Sequence, residues 1–444
     1  MYIIVGAGEV GFYLAKFLTS ENIDVVLVDT NEKKLKRVRE RLDVQTYLGH
    51  GASLQVLRNL DISNSEMVIA VTDSDEINMI VAMAGKNLGA RKTVARVRNL
   101  VYLSGTRFLY RDIVGIDYVL NPEVLSAVKL VDVVRTPGAV QVESFASGKV
   151  KILRIPVTDK SPMANKKIMD VKIPPDIILG PVSRKDEIII PRGKDMIHPG
   201  DQIYVISSLK DADEIRKCFT REKYSVKRVI INGGTSIGRM VAEGCAEHDI
   251  QVRIFDENLE TCQHLEAVLN NVEVIHGPGT DIELLQEEHI NDFDVFMSVY
   301  NEDEKNIVSG LLAKSLGVPK VAIIVRQSDF ASIVSNLDVD VVISPRMVTA
   351  DAIMKHIHRE NLISIASLEN GRAEVIEIVP HPRSAVINKT LQQIPFPWGC
   401  VVGTIQRGED IIIPRGHTTI FKDDHVILFA LPEVIEDIES LFNA

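Results

Sequence analysis

Tyr2-Ile3-Ile4-Val5-Gly6-Ala7-Gly8-Glu9-Val10-Gly11-Phe12-Tyr13-Leu14-Ala15-Lys16-Phe17-Leu18 opens the chain, and Val25-Val26-Leu27-Val28-Asp29 follows it. An apolar run of strand length enters a G-x-G-x-x-G turn. The turn opens a helix whose Leu14, Ala15 and Leu18 can face a sheet. A second apolar strand then ends in an acid, 18 residues after Gly11. A glycine turn by itself says little. One that follows a strand, opens a helix and is answered by an acid about 20 residues on marks a dinucleotide-binding crossover. Gly6 permits the tight turn, Gly8 lacks the Cβ that would hold a pyrophosphate away from the backbone N–H groups, and Gly11 lets the helix pack close to the strand. The phosphates then sit at the positive end of the helix dipole. Asp29 is placed to accept hydrogen bonds from adenosine ribose hydroxyls. An acid there repels a 2′-phosphate, which favours NAD(H) over NADP(H).

Outward from this stretch the chain repeats itself. Gly6 to Gly11 recurs as Gly233-Gly234-Thr235-Ser236-Ile237-Gly238, Asp29 as Asp256, and Asp75-Glu76-Ile77-Asn78 as Asp303-Glu304-Lys305-Asn306. Ile188-Ile189-Ile190-Pro191-Arg192-Gly193 returns unchanged as Ile411-Ile412-Ile413-Pro414-Arg415-Gly416, and His198 to Ile203 then faces Phe421 to Val426. The offset is 227 at the glycine turns (233 − 6) and 223 at the Pro-Arg-Gly segments (414 − 191), close to half of the 444 residues. The chain is therefore a duplication. Its second turn departs at one position: Thr235 stands where the middle glycine belongs, and a β-carbon there restricts the approach of a pyrophosphate. Asp256 keeps the ribose acid and Glu257 follows it. The second copy reads either as a site for a single nucleotide or as a vestige.

Within each half, short β-branched runs alternate with helical patterns. Val25–Val28, Met67–Val71 and Thr93–Val97 read as strands, and Lys33–Leu42 and Asn78–Leu88 as helices, which implies a parallel sheet with crossover connections. From about Val140 the pattern changes to short strands and prolines with little helix until Ala212, a small α+β domain. Polar groups gather at the carboxyl edge of the expected sheets, where such folds bind ligands. Thr72-Asp73 and Tyr300-Asn301 end equivalent strands. Gly51-Ala52-Ser53 and Gly279-Thr280-Asp281 sit on equivalent strand-to-helix turns. Arg96 and Arg326 end the next strands, within reach of a phosphate.

Composition narrows the function. Hydrophobic residues at 45% and charged residues at 25% are ordinary for a globular chain, and the length suits three or four domains of about 100–200 residues. A net charge of −11 argues against nonspecific nucleic-acid binding. Lys33-Lys34-Leu35-Lys36-Arg37 reads as the solvated face of a helix. No apolar run approaches the about 20 residues of a membrane span, and the N-terminus reads as a strand without the features of a signal peptide. Cys218, Cys245, Cys262 and Cys400 are scattered thiols of a reducing compartment, with no C-x-x-C pair. The eleven histidines are dispersed, and His356 and His358, two apart on an expected helix, face different ways, so no metal site is expected. There is no P-loop, no Ser-His-Asp order, and no general acid or base of the kind a dehydrogenase needs near a nicotinamide. Small duplicated domains suit binding and assembly better than catalysis. An NAD-dependent oxidoreductase remains the alternative.

The combination resembles the RCK (regulator of potassium conductance) family, in the tandem arrangement of TrkA, the peripheral regulatory subunits of the Trk potassium-uptake system. The resemblance is carried by Gly6 to Gly11, Asp29, Gly49-His50-Gly51, Val71 to Met79 and Ala95-Arg96-Val97, and in the second half by Gly233 to Gly238, Glu287-Glu288-His289-Ile290 and Asp303 to Asn306. It implies two Rossmann-type domains, at 1–136 and 223–362, each followed by a small C-terminal domain, at 137–222 and 363–444, with Lys223-Tyr224-Ser225 as the linker between halves. It implies a cytoplasmic ring, typically a tetramer, that binds NAD(H) and/or ATP/ADP and gates a membrane potassium-translocating subunit by changing shape. The first site it implies is Gly6, Ala7, Gly8, Glu9, Val10 and Gly11 with Asp29, Thr30, Gly51, Ala52, Ser53, Thr72, Asp73 and Arg96. The second is Gly233, Gly234, Thr235, Ser236, Ile237 and Gly238 with Asp256, Glu257, Gly279, Thr280, Tyr300, Asn301 and Arg326. A nucleotide sensor for a different channel or exchanger would use the same residues.

Overall fold

Strands β1 (Tyr2–Val5), β2 (Val25–Asp29), β3 (Gln45–Leu48), β4 (Met67–Ala70), β5 (Lys92–Arg96) and β6 (Tyr118–Leu120) form one sheet in the order β3-β2-β1-β4-β5-β6. Every neighbouring pair is parallel. The chain is described by a computed structural model that covers residues 1–20, 23–103, 115–135, 141–145, 150–174, 177–185, 187–208, 226–327, 330, 334, 337–354, 356–357, 362–368 and 372–443. The strand order, with its reversal between β1 and β4, is that of a doubly wound dinucleotide-binding fold. Central strands of such a sheet are covered on both faces, and Ile3, Ile4, Leu27 and Ile69 are fully buried. Each such side chain contributes about 1.5–3 kcal/mol by leaving water.

Helices α1 (Glu9–Ser20), α2 (Glu32–Arg39), α3 (Leu54–Asn59) and α4 (Asp75–Asn87) lie between these strands, and α5 (Pro122–Arg135) follows β6. The expected elements are present, with shifted ends. Helix α4 starts three residues before Asn78 because the Ser74 side chain accepts the N–H of Ile77 and caps it. Helix α2 starts at Glu32 because the Asn31 side chain accepts from Lys33 and Lys34, and it stops at Arg39, short of the expected Leu42. Strand β3, with half of its residues exposed, lacks the apolar run that announced its neighbours.

The small domain that follows is an antiparallel sheet of β7 (Gln141–Phe145), β8 (Val150–Pro156), β10 (Ile177–Arg184), β11 (Glu187–Ile189) and β13 (Gln202–Ser208), in the order β11-β10-β13-β8-β7. A two-stranded ribbon joins β9 (Lys166–Lys167) and β12 (Met196–Ile197). Cys218, the region of Ala212 and the expected linker Lys223–Ser225 lie outside the described residues.

The second half repeats both sheets. Strands β14 (Arg228–Asn232), β15 (Gln251–Asp256), β16 (Val272–His276), β17 (Val295–Ser298), β18 (Lys320–Ile324) and β19 (Val341–Ile343) take the order β16-β15-β14-β17-β18-β19. Between them run α6 (Ser236–Ala246), α7 (Leu259–Val268), α8 (Ile282–Glu287) and α9 (Asp303–Ser315), with α10 (Pro345–Met354) after the last. Strands β20 (Leu362–Leu368), β21 (Ala373–Ile378), β22 (Cys400–Arg407), β23 (Asp410–Ile412) and β24 (His425–Ala430) form the second antiparallel sheet, in the order β20-β21-β24-β22-β23, and α11 (Ile435–Phe442) ends the chain.

The halves do not fold as halves. The two parallel-sheet domains share one compact unit, and the two small domains share another. In the first unit Ala350, Ile353, Met354 and Ile357, on and just after α10, join Leu14, Leu18 and Leu27 in one hydrophobic core. His356 stacks on Tyr118 with ring centroids 3.9 Å apart; His358 is outside the described residues. In the second unit the contact is reciprocal. A β-carbon on Gly180 would lie 2.5 Å from Cε2 of Phe429, and one on Gly403 would strike Cδ1 of Ile206. Gly180 and Gly403 are equivalent (403 − 180 = 223), as are Ile206 and Phe429 (429 − 206 = 223), so the small domains pack about a pseudo-two-fold axis. Both glycines sit at irregularities in their strands, between Leu179 and Val182 and between Val402 and Thr404.

Candidate nucleotide site

In the first half the turn from β1 to α1 carries Gly6 at φ +114°, a conformation that favours glycine. A β-carbon there would lie 2.9 Å from the carbonyl carbon of Val71, and one on Gly11 would run into the carbonyl oxygen of Gly6. The fold itself therefore demands these two glycines. It does not demand the third: a β-carbon on Gly8 would meet nothing within 4 Å. Asp29 faces this turn from the end of β2. Its Oδ2 accepts the N–H of Ala7 at 2.7 Å, and its Oδ1 accepts that of Asn31 at 2.8 Å. Thr30 beside it is exposed. Glu9 and Val10 open α1, with Glu9 exposed and Val10 buried.

The loop after β4 is fixed by a buried asparagine. Asn78 Oδ1 accepts from the backbone N and the hydroxyl of Thr72 at 2.8 and 2.7 Å, and its Nδ2 donates to the carbonyls of Thr72 and Arg96 at 3.0 and 2.8 Å. Arg96 Nη2 donates to the Thr72 carbonyl at 2.7 Å and to Asp73 Oδ1 at 3.2 Å. Its Nε is buried without a partner. Burial and the nearby Arg98 push the Arg96 pKa down from its usual value. The guanidinium thus braces Thr72 and Asp73 at the sheet edge. Gly51 is held by packing, since a β-carbon there would collide with the Val5 side chain; Ala52 and Ser53 lead into α3.

The second half keeps the frame and changes the contents. Gly233 has φ +117°, and a β-carbon on Gly238 would collide with the Gly233 carbonyl. Asp256 accepts from the N–H of Gly234 at 2.6 Å and of Asn258 at 2.8 Å, matching Asp29. Thr235 caps α6: its hydroxyl accepts the N–H of Gly238 at 3.3 Å and donates to the Val299 carbonyl at 2.9 Å. Ser236 and Ile237 start that helix. Gly279 abuts Asn232, Thr280 follows it, and Asp281 caps α8. Asn306 repeats Asn78, binding the backbone of Tyr300 and the Ile324 carbonyl.

One expected pairing is corrected. Arg96 ends β5, but Arg326 lies two residues beyond Ile324, the end of β18. The counterpart of Arg96 is Ile324, since their carbonyls accept the equivalent bonds from Asn78 and Asn306. The counterpart of Arg326 is Arg98, since Asp75 accepts the N–H of Arg98 at 2.9 Å and Asp303 that of Arg326 at 2.8 Å. Counting from strand ends hid this, because both arginines alternate with apolar residues. Arg98 is a site-edge residue the sequence reading missed; it donates to the Asp73 carbonyl at 2.5 Å. Arg326 donates instead to Asn301 Oδ1 at 2.7 Å.

Fold and site together define a duplicated Rossmann-type protein with nucleotide-type turns at the carboxyl edges of two parallel sheets. The family model described as the TrkA-N domain matches residues 2–122 and 229–345, and the TrkA-C domain matches 152–220 and 375–443. The Trk system potassium uptake protein TrkA of Halomonas elongata is 34% identical, covering 99% of this chain and 98% of its own length. TrkA homolog 1 of Methanosarcina mazei is 32% identical, covering 99% of each. Among solved structures, the GsuK RCK domain superposes with a TM-score of 0.60 at 18% identity over 99% of this chain and 94% of its own. The GsuK channel bound to NAD does so with 0.61 at 18%, over 99% and 78%. The chain belongs to the TrkA family. No helix among the described residues is long and apolar enough to cross a membrane.

Proposed function

We propose that this chain is a regulatory subunit of a Trk-type potassium-uptake system, one that senses NAD(H) and/or ATP/ADP at its first glycine turn. The observation that carries the reading is Gly8. Its neighbours Gly6 and Gly11 are explained by the fold, while Gly8, next to Ala7 whose N–H meets the Asp29 carboxylate and just before α1, faces open space. A missing side chain there is accounted for by a ligand that approaches the backbone closely. Gly6 to Gly11 with Asp29, Thr30, Gly51 to Ser53, Thr72, Asp73 and Arg96 form the proposed set. Asp29 takes the ribose hydroxyls, the N–H groups of the turn take the phosphates, and Arg96 holds Thr72 and Asp73 at the rim. The names of the relatives support a potassium-uptake role, and the NAD-bound GsuK channel supports the choice of ligand.

In this reading the chain is cytoplasmic and works as a homotetrameric ring on the inner face of the membrane, docked on a potassium-translocating subunit. The nucleotide changes transport only by binding one ring conformation more tightly than the other. Calorimetry of the full chain with NADH, NAD, ATP and ADP tests the ligand, with NADH oxidation followed in parallel. Binding without oxidation that Asp29→Ala abolishes is expected. Turnover of NADH would establish the oxidoreductase alternative, and binding indifferent to Asp29→Ala would remove the first turn from the mechanism. Nucleotide-dependent potassium flux in proteoliposomes carrying the Trk-type membrane subunit tests the gating.

A further inference from the structure

We infer that Tyr300 closes the second glycine turn to an adenine dinucleotide, so that each chain takes one equivalent, at its first half. The inference rests on the reading of the first turn given above. Tyr300 follows Val299 as Thr72 follows Val71, at the point where the sheet edge faces the glycine turn. A β-carbon on Gly233 would lie 3.1 Å from the Tyr300 backbone nitrogen and 3.3 Å from its Cγ, so the ring starts against the turn itself. The side chain then runs inward and is 7% exposed. Its hydroxyl is buried against the Glu257 backbone. Burial, and next the charge of Asp256, push the phenol pKa up, and Glu257 acts on it as well. The far end of the ring therefore lies beside the acid that would receive a ribose.

Two further contacts hold this arrangement. Lys305 Nζ sits 4.9 Å from the Tyr300 ring centroid and 2.6 Å from Glu257 Oε1, a strap across the outside of the ring. Thr235 meanwhile supplies the helix cap that a phosphate would otherwise provide. The first half has Thr72, Thr30, Ile77 and Gly8 at the equivalent positions, none of which can build the strap, the cap or the aromatic lid. The two halves share a backbone frame, and the second has filled its ligand space with its own side chains.

Titration of the full chain with NADH, read as equivalents bound per chain, tests this. The expected values are one for the wild type, none for Asp29→Ala, one for Tyr300→Phe, two for Tyr300→Thr, and one for the double variant Asp29→Ala with Tyr300→Thr. Two equivalents on the wild type, or one retained by Asp29→Ala alone, overturns the inference without any Tyr300 variant. A Tyr300→Thr protein that melts as the wild type and still takes one equivalent overturns it too. Failure of the first-turn reading looks different: the wild type binds nothing. Tyr300→Thr then decides separately, since one equivalent gained upholds the role of Tyr300 and none gained overturns it.

Discussion

Arg346 Nη1 lies 2.6 Å from Glu9 Oε2. Arg346 belongs to α10 of the second half and Glu9 to the first turn of α1, so one half reaches the mouth of the other half's glycine turn. Glu9 is a negative charge where the phosphates of a ligand would sit, and Arg346 offsets it. Arg346→Ala is expected to weaken NADH or ADP binding roughly two- to fivefold, in keeping with exposed charge pairs of about 0.5–1 kcal/mol near a helix end. The double variant Glu9→Gln with Arg346→Ala should recover most of the loss in calorimetry. Strictly additive losses would mean that the pair is not coupled to the site.

Asn78 and Asn306 are fully buried and make the same backbone bonds in the two halves. Replacing either by alanine strands backbone groups that water cannot reach, at a cost of about 2–4 kcal/mol. At about 2–4 °C per kcal/mol for a unit of this size, thermal unfolding of each variant should drop by roughly 5–15 °C. Only Asn78→Ala should also weaken nucleotide binding, because Asn78 fixes Thr72 and the Arg96 carbonyl. Equal effects of both variants on binding would contradict the assignment of the site to the first half.

The reciprocal seam between the small domains depends on Gly180 and Gly403. Gly403→Val drives a branched side chain toward Ile206, and overpacking of this kind costs about 1–3 kcal/mol. Differential scanning calorimetry should show the small-domain transition lowered while nucleotide affinity stays as in the wild type. An unchanged transition would mean that the seam repacks without strain.

Asp201 is almost fully buried and held by Arg184 Nε and Nη2 at 2.7 and 2.8 Å and by the N–H of His198 at 2.8 Å. Burial acts to raise its pKa, but Arg184 and the His198 N–H outweigh it and the net direction is down. A carboxyl with a depressed folded-state pKa stabilises above its unfolded value, about 3.9, and that stability is lost as pH falls through the folded value. Stability of the small-domain unit measured by denaturant unfolding should therefore fall below about pH 4. Asp201→Asn should flatten that part of the profile; a profile unchanged by the substitution would place the acid sensitivity elsewhere.

The strand, glycine turn, helix and closing acid at the start of the chain were legible because each is local: a turn needs glycine where φ is positive, and an acid ending β2 falls beside the turn whatever the rest of the protein does. The duplication was legible for the same reason, as identical side chains at a fixed offset. The antiparallel small domains were visible in outline, from prolines and short strands, while the pairing of half-exposed Arg184 and Arg407 with the buried carboxylates of Asp201 and Asp424 was hidden, since the arginines lie in strands with no distinctive neighbours. The equivalence of Arg326 with Arg98 needed the hydrogen bonds of Asp75 and Asp303. That α10 completes the core around α1, that Arg346 meets Glu9, and that Tyr300 fills the second turn were decided by tertiary structure alone. These contacts join residues tens to hundreds of positions apart, and chain patterns record which face of an element is apolar without recording which distant face will cover it.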